Sequence, residues 1–87
     1  MKENFIAMLE RCIENESELL VSGETQSTYY VNTVVPDKIR TTDGVYIEAE
    51  DMIIDIKGDY EVKYDEYEEM YIIVCNDNTK YYFGEEV

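Results

Sequence analysis

The chain predicts an α+β fold, an N-terminal helix packed on a twisted antiparallel sheet of about five to six strands, with partial closure into a small barrel left open. Three observations predict it. A single apolar stripe at helical spacing occupies the first fifteen residues. Short runs rich in Val, Ile, Thr and Tyr fill the remainder, the composition of half-buried strands. Gly, Asn, Asp and the one Pro separate these runs at hairpin-length intervals, which is turn chemistry. Eighty-seven residues are expected to form one domain, 1–87, without repeat or linker. A chain of this size buries roughly 60% of its unfolded surface, so its core is small and holds no deep substrate cavity.

The helix is predicted over residues 4–15. Phe5, Met8, Leu9, Cys12 and Ile13 recur at the 3.6-residue period and define the face that packs on the sheet. Asn4 suits the N-cap. A strand follows at 18–21, closed by the turn signal Ser22-Gly23-Glu24-Thr25. The run 27–35 is strand with apolar residues on both faces, a pattern that fits a central, doubly covered position. Pro36 ends it, because proline cannot donate to a ladder. Residues 37–44 read as a polar connection ending in the turn Asp43-Gly44. Strands are then predicted at 45–49, 52–56, 59–65, 70–75 and 79–83. In 59–65, Tyr60, Val62 and Tyr64 alternate with Asp59, Glu61, Lys63 and Asp65, which gives one buried and one charged face. Residues 70–83 form the clearest hairpin, turning at Asn76-Asp77-Asn78. The strand 79–83 would be an edge that Lys80 guards weakly, so a homodimer through it stays open.

Charge is the outlying property. Seven bases stand against 21 acids, a net charge of −14, beyond the magnitude of about 2–8 usual for a small domain. Direct binding to nucleic acid or an anionic membrane is disfavoured, since phosphate recognition needs a basic patch. The aromatic content of 13% sets the chain apart from disordered acidic tails, which lack such residues. Met1-Lys2-Glu3-Asn4 is not followed by the apolar run of a secretory signal. Cys12 and Cys75 lie far apart without metal-ligand spacing. A cytoplasmic protein with reduced thiols is therefore expected.

Catalytic patterns are sparse. The chain has no histidine, which removes the commonest general base and the His-dependent nucleophile arrangements. Paired carboxylates need a set separation inside a sugar-sized cleft, and abundance of acids does not supply it. A calcium loop starting at Asp77 would place Thr79 and Tyr81 at ligand positions and Tyr82 where glycine is required. No phosphate-binding glycine loop occurs. The expectation is a protein that is not an enzyme, with no cofactor and no dedicated metal site.

The stretch Glu48–Glu69 carries the functional reading. It holds ten acids against two bases, a net charge of −8. The candidate partner-binding residues are Glu48, Glu50, Asp51, Asp55, Asp59, Glu61, Asp65, Glu66, Tyr67, Glu68 and Glu69. Residues two apart on a strand lie roughly 6.5–7 Å apart on one face. Asp59, Glu61 and Asp65 thus form a ladder of negative charge, which Glu66, Glu68 and Glu69 extend. Glu48, Glu50 and Asp55 would add parallel rows on neighbouring strands. Duplex DNA is likewise a rod of closely spaced negative charge, read by rows of Lys and Arg. Tyrosines among the acids supply anchoring that charge alone lacks, and Tyr67, flanked by acids in a predicted connection, is expected to be exposed.

In composition and charge pattern, this quarter of the chain resembles small acidic phage-encoded inhibitors of host nucleic-acid enzymes: anti-CRISPR proteins, anti-restriction DNA mimics and uracil-DNA glycosylase inhibitors. The resemblance implies a basic nucleic-acid-binding partner whose groove is occupied, and it implies no particular functional residue. The alternatives are a protein–protein interaction module without mimicry, and a small-ligand-binding protein using Lys38, Arg40, Lys57 and Lys63.

Overall fold

A computed structural model of the chain describes residues 1–24, 29–50 and 52–85. The expected strand positions Ser27 and Thr28, the turn residue Thr25, the candidate Asp51 and the tail residues Glu86 and Val87 lie outside the described residues. The architecture is one helix and eight strands in two antiparallel sheets. The predicted helix-on-antiparallel-sheet class is thus observed, and the barrel is not closed.

Helix α1 spans Lys2–Asn15. Phe5, Met8, Leu9 and Cys12 are buried, as their spacing requires. The helix starts earlier than Asn4: Met1 is the N-cap, and its carbonyl accepts the Phe5 N–H at 3.2 Å. An extra turn ahead of Phe5 lets that ring enter the core from within the helix. Glu3 lies in the first turn, where its charge complements the exposed N–H groups. The helix ends at Glu16, which is left-handed with φ 52° and ψ 40°. Ser17 N–H then donates to the Cys12 carbonyl at 2.9 Å, which satisfies an acceptor left free at the helix end.

Five strands form the larger sheet: β1 (Leu19–Glu24), β2 (Tyr29–Val34), β6 (Tyr60–Asp65), β7 (Met70–Cys75) and β8 (Lys80–Glu85), in the order β2-β1-β8-β7-β6. The smaller sheet holds β3 (Pro36–Arg40), β4 (Gly44–Ala49) and β5 (Ile53–Lys57) in chain order. Helix α1 packs against β3 of one sheet and β6 of the other. All three layers share one core, in which Phe5, Leu9, Val21, Ile47, Ile73 and Phe83 are fully or almost fully buried. The Phe5 ring lies 5.3 Å from Phe83 and 5.8 Å from Tyr71, tilted in both cases, the offset geometry aromatic pairs prefer.

Five expectations are corrected. Pro36 opens a strand instead of ending one; as the first residue its missing N–H costs the ladder nothing, and a register shift between Pro36 and Lys38 absorbs the irregularity. Much of the polar stretch 37–44 is therefore β3, with Ile39 opposite Ile47 and packed on the core while Lys38 and Arg40 are exposed. Strand β2 is an edge, not a central strand, and Val31, Asn32 and Thr33 are exposed. Strand β8 is interior, paired with β1 and β7, because the first and last strands meet in the middle of the sheet. Lys80 therefore guards no edge, and the open edges of this sheet are β2 and β6. Finally, β1 runs on through the expected turn to Glu24, since Gly23 is buried between Tyr30 and Tyr81 in the register.

Candidate partner-binding surface

The acidic candidates divide between the two sheets. Gly58, with φ +79°, lies in the short link by which the chain leaves β5 and enters β6. Because β5 and β6 belong to different sheets, the expected parallel rows do not form. Glu48 and Asp55 occupy the outer face of the smaller sheet, and exposed Glu50 follows β4.

Bases temper the smaller sheet's outer face. Lys38 stands opposite Glu48 in the β3–β4 register, and Asp55 opposite Tyr46 in β4–β5. The Arg40 guanidinium lies 5.4 Å from the Tyr46 ring centre, and Lys57 Nζ lies 3.9 Å from Asp55 Oδ2. The Tyr46 hydroxyl donates to Glu48 Oε1 at 3.2 Å. Burial of the ring, with Glu48 next, holds that hydroxyl above the ordinary tyrosine range. Three of the chain's seven bases sit here, a feature invisible while residues 37–44 read as a loop.

The second group gathers at the end of the β6–β7 hairpin. Asp65 pairs with Met70 across the ladder, so Glu66, Tyr67, Glu68 and Glu69 form a four-residue loop. Asp65 Oδ1 accepts the backbone N–H of Tyr67 at 2.9 Å and of Glu68 at 3.2 Å. A carboxylate that bonds to the backbone two and three residues on builds the turn locally. Glu69 closes the loop in the left-handed region at φ 56°. Tyr67 is 92% exposed, which matches its expectation. Just inside the loop, Tyr64 stacks edge-on against Tyr71 at 4.8 Å. Burial, followed by the charges of Glu69, Glu66 and Asp65, pushes the Tyr64 hydroxyl up. The loop thus presents four carboxylates around one exposed aromatic ring.

Strand β6 continues this group. Tyr60 and Val62 pack on the core while Glu61 and Lys63 are exposed, as the alternation predicts, but Tyr64, expected on the buried face, is exposed at the end of the strand. Asp59 is exposed just before the strand. The outer faces of β7, β8, β1 and β2 complete that side of the sheet, and they are largely apolar. Leu20, Met70, Ile72, Val74 and Tyr82 are half-buried and Val31 is exposed. This face was not singled out from sequence. Its signals were the apolar residues on both faces of 27–35 and the unbroken run Met70–Cys75.

Among the described residues no three His, Cys, Asp or Glu side chains group to hold a metal ion. Both cysteines are free, and burial is the main cause raising their thiols, so neither is activated. A recess of about 360 Å³ opens between β5 and the β7–β8 turn, lined by Asp55, Lys57, Cys75, Asp77, Thr79 and Tyr81. Lys57 is its one base, and the Asp77 carboxylate is committed to the Thr79 N–H at 3.0 Å. Among the described residues no helix is long and apolar enough to cross a membrane. No family model, curated protein or solved structure matches this chain.

Proposed function

We propose that the chain is a non-enzymatic acidic binding protein that inhibits a nucleic-acid-binding protein, such as a CRISPR effector, by occupying its basic nucleic-acid-binding surface. The observation that carries this reading is the 65–69 loop: four acidic residues in sequence around exposed Tyr67, on a backbone that Asp65 braces through the Tyr67 and Glu68 N–H groups. A cluster of negative charge complements a groove built for phosphates, and a braced loop backbone loses little entropy on docking. An exposed tyrosine provides the anchor that interface centres favour. The net charge of −14 steers a basic partner from a distance and accelerates encounter.

The division of the acids refines the contact. Glu66, Glu68 and Glu69 stand in the β6–β7 loop that Asp65 braces, whereas Glu48 and Asp55 face bases of their own sheet and Glu61 shares its strand face with Lys63. The loop group is therefore the contact surface, and Glu48, Asp55 and Glu61 contribute only to the distant field.

The test is capture of a panel of basic nucleic-acid-binding proteins, CRISPR effectors included, on immobilised protein, with elution by salt steps and by competing DNA or guide RNA. The expected result is a partner that salt and nucleic acid both release, and that the Glu66→Lys/Glu68→Lys/Glu69→Lys variant fails to capture while remaining folded. A partner retained through high salt and indifferent to nucleic acid would overturn mimicry in favour of an apolar interaction module. The apolar outer face of the larger sheet is the observation that favours that second reading.

A further inference from the structure

We infer that the outer face of the five-stranded sheet is a self-association surface, on which a second copy of this chain docks face to face. The residues follow from the registers. Leu20, Gly84, Met70 and Asp65 line up across neighbouring strands, as do Val31, Ser22, Tyr82, Ile72 and Lys63. Met70 lies over Gly84, its Cγ within 3.4 Å of where a glycine side chain would begin, which smooths the centre of the face. No described element covers it, because α1 and the smaller sheet both pack on the opposite side. An antiparallel sheet with one solvated face normally carries polar residues there. This one carries Leu20, Val31, Met70, Ile72, Val74 and Tyr82 around a buried Ser22, an apolar centre flanked by charged residues.

Charge identifies the occupant. The chain carries −14 in all, yet this face is nearly neutral. Glu61 and Asp65 share it with Lys63 and Lys80. Among these described side chains two acids and two bases cancel. A basic partner would select an all-acid patch, and Lys63 and Lys80 would repel it. A two-fold interface needs the reverse: one patch holding both signs, so that each copy offers what the other requires. It is also the side on which two copies of so acidic a chain repel each other least.

Size sets the strength. Five strands about 4.8 Å apart and six residues at about 3.4 Å each give a face of roughly 24 by 20 Å. Two such faces bury on the order of 1,000 Å², the lower limit for a specific interface. The dimer is accordingly a weak one that dilution separates, and it leaves the 65–69 loop of both copies at its margin.

Sedimentation equilibrium of the whole chain, from about 5 to about 500 μM to span weak association, tests this against Ile72→Lys and Ile72→Thr. The wild type is expected to pass from 10.3 kDa to twice that mass over the series. Ile72→Lys should weaken association at least tenfold, although it lowers the net negative charge, and Ile72→Thr at least threefold. Circular dichroism checks the fold, and the threonine variant, β-branched like isoleucine, decides the matter if the lysine variant does not fold. A wild type that stays monomeric at every concentration overturns the inference. So does a dimer indifferent to both substitutions, which would point to edge pairing through β2 or β6. A monomer whose Ile72 and Val74 amide resonances move on adding polylysine or anionic vesicles assigns the face to those occupants and overturns it equally.

Discussion

Asp65 holds Tyr67 in place through the backbone: its Oδ1 accepts the Tyr67 N–H at 2.9 Å, and the same oxygen takes the Glu68 N–H at 3.2 Å. One side chain thus shapes the loop and also supplies part of its charge. Two substitutions separate these roles. Asp65→Asn keeps an acceptor oxygen and removes the charge, so stability should stay within about 0.5 kcal/mol. Asp65→Ala removes the acceptor and should cost about 1 kcal/mol, with faster hydrogen exchange at the Tyr67 and Glu68 amides. Thermal unfolding and amide exchange of the two variants check this. Equal exchange in both would mean the loop does not depend on Asp65.

Tyr60 buries its hydroxyl with no hydrogen-bond partner among the described residues, and burial holds that hydroxyl above its ordinary range. An unsatisfied buried hydroxyl costs about 1–3 kcal/mol. Tyr60→Phe removes it and keeps the ring, including the face over which the Lys2 ammonium sits at 4.3 Å. The variant should be more stable by about 1 kcal/mol, a rise in Tm of roughly 4–8 °C for a domain of this size. A fall in Tm would show that the hydroxyl has a partner.

Gly44 and Gly58 both adopt positive φ, at +118° and +79°, but for different reasons. A Cβ on Gly44 would overlap the Ile56 carbonyl oxygen, part of the β4–β5 ladder, whereas at Gly58 it would meet open space. Gly58→Ala should therefore cost only the backbone strain, about 1 kcal/mol. Gly44→Ala adds displacement of β5 and should cost on the order of 3 kcal/mol or more. Urea unfolding of the two variants measures the gap, and comparable losses would contradict the steric argument.

The β7–β8 turn gives a pH signature. The backbone N–H of Thr79, and then its hydroxyl, hold the Asp77 carboxyl below its usual range. A group depressed in the folded state stabilises it above the unfolded value of about 3.9, and that contribution is lost as pH falls through the folded value. Asp77→Asn should therefore be less stable than wild type at neutral pH and converge with it as pH falls below the unfolded value and through the folded one. The two proteins differ at this one position, so the difference between their urea midpoints isolates Asp77. A difference unchanged down to pH 2 would refute the assignment.

These features differ in how far they can be read from the chain. The helix was legible because Phe5, Met8, Leu9 and Cys12 repeat at a period that only a helix converts into one face. Strands β6 and β7 were legible from alternation and from an unbroken apolar run. The partition into two sheets was not, because hydrophobic period reports which face of a strand is buried and not which strand lies beside it. Strand β3 escaped for a local reason: Ile39 is its only apolar residue besides Pro36, too few to show alternation. The acidic ladder met the same limit, since proximity along 48–69 conceals the sheet change at Gly58. The connection 66–69 and the exposure of Tyr67 were legible because a turn is local, whereas the two backbone bonds of Asp65, read as a rung of the ladder, were not.

Tyr67 separates binding from folding most cleanly. At 92% exposure its ring supports no packing, so Tyr67→Ala should leave stability within about 0.5 kcal/mol. The backbone N–H that Asp65 captures is unaffected, and the loop keeps its shape. If the loop is the contact surface, loss of the aromatic anchor should weaken binding by about 2 kcal/mol or more, roughly thirtyfold. Because the substitution leaves the charge untouched, the rate of encounter and its steep salt dependence should persist while dissociation quickens. Association and dissociation rates measured for wild type and Tyr67→Ala against a basic partner, over a range of salt, resolve these terms. Unaltered rates would show that Tyr67 anchors nothing and would leave the contact to the carboxylates or to another surface.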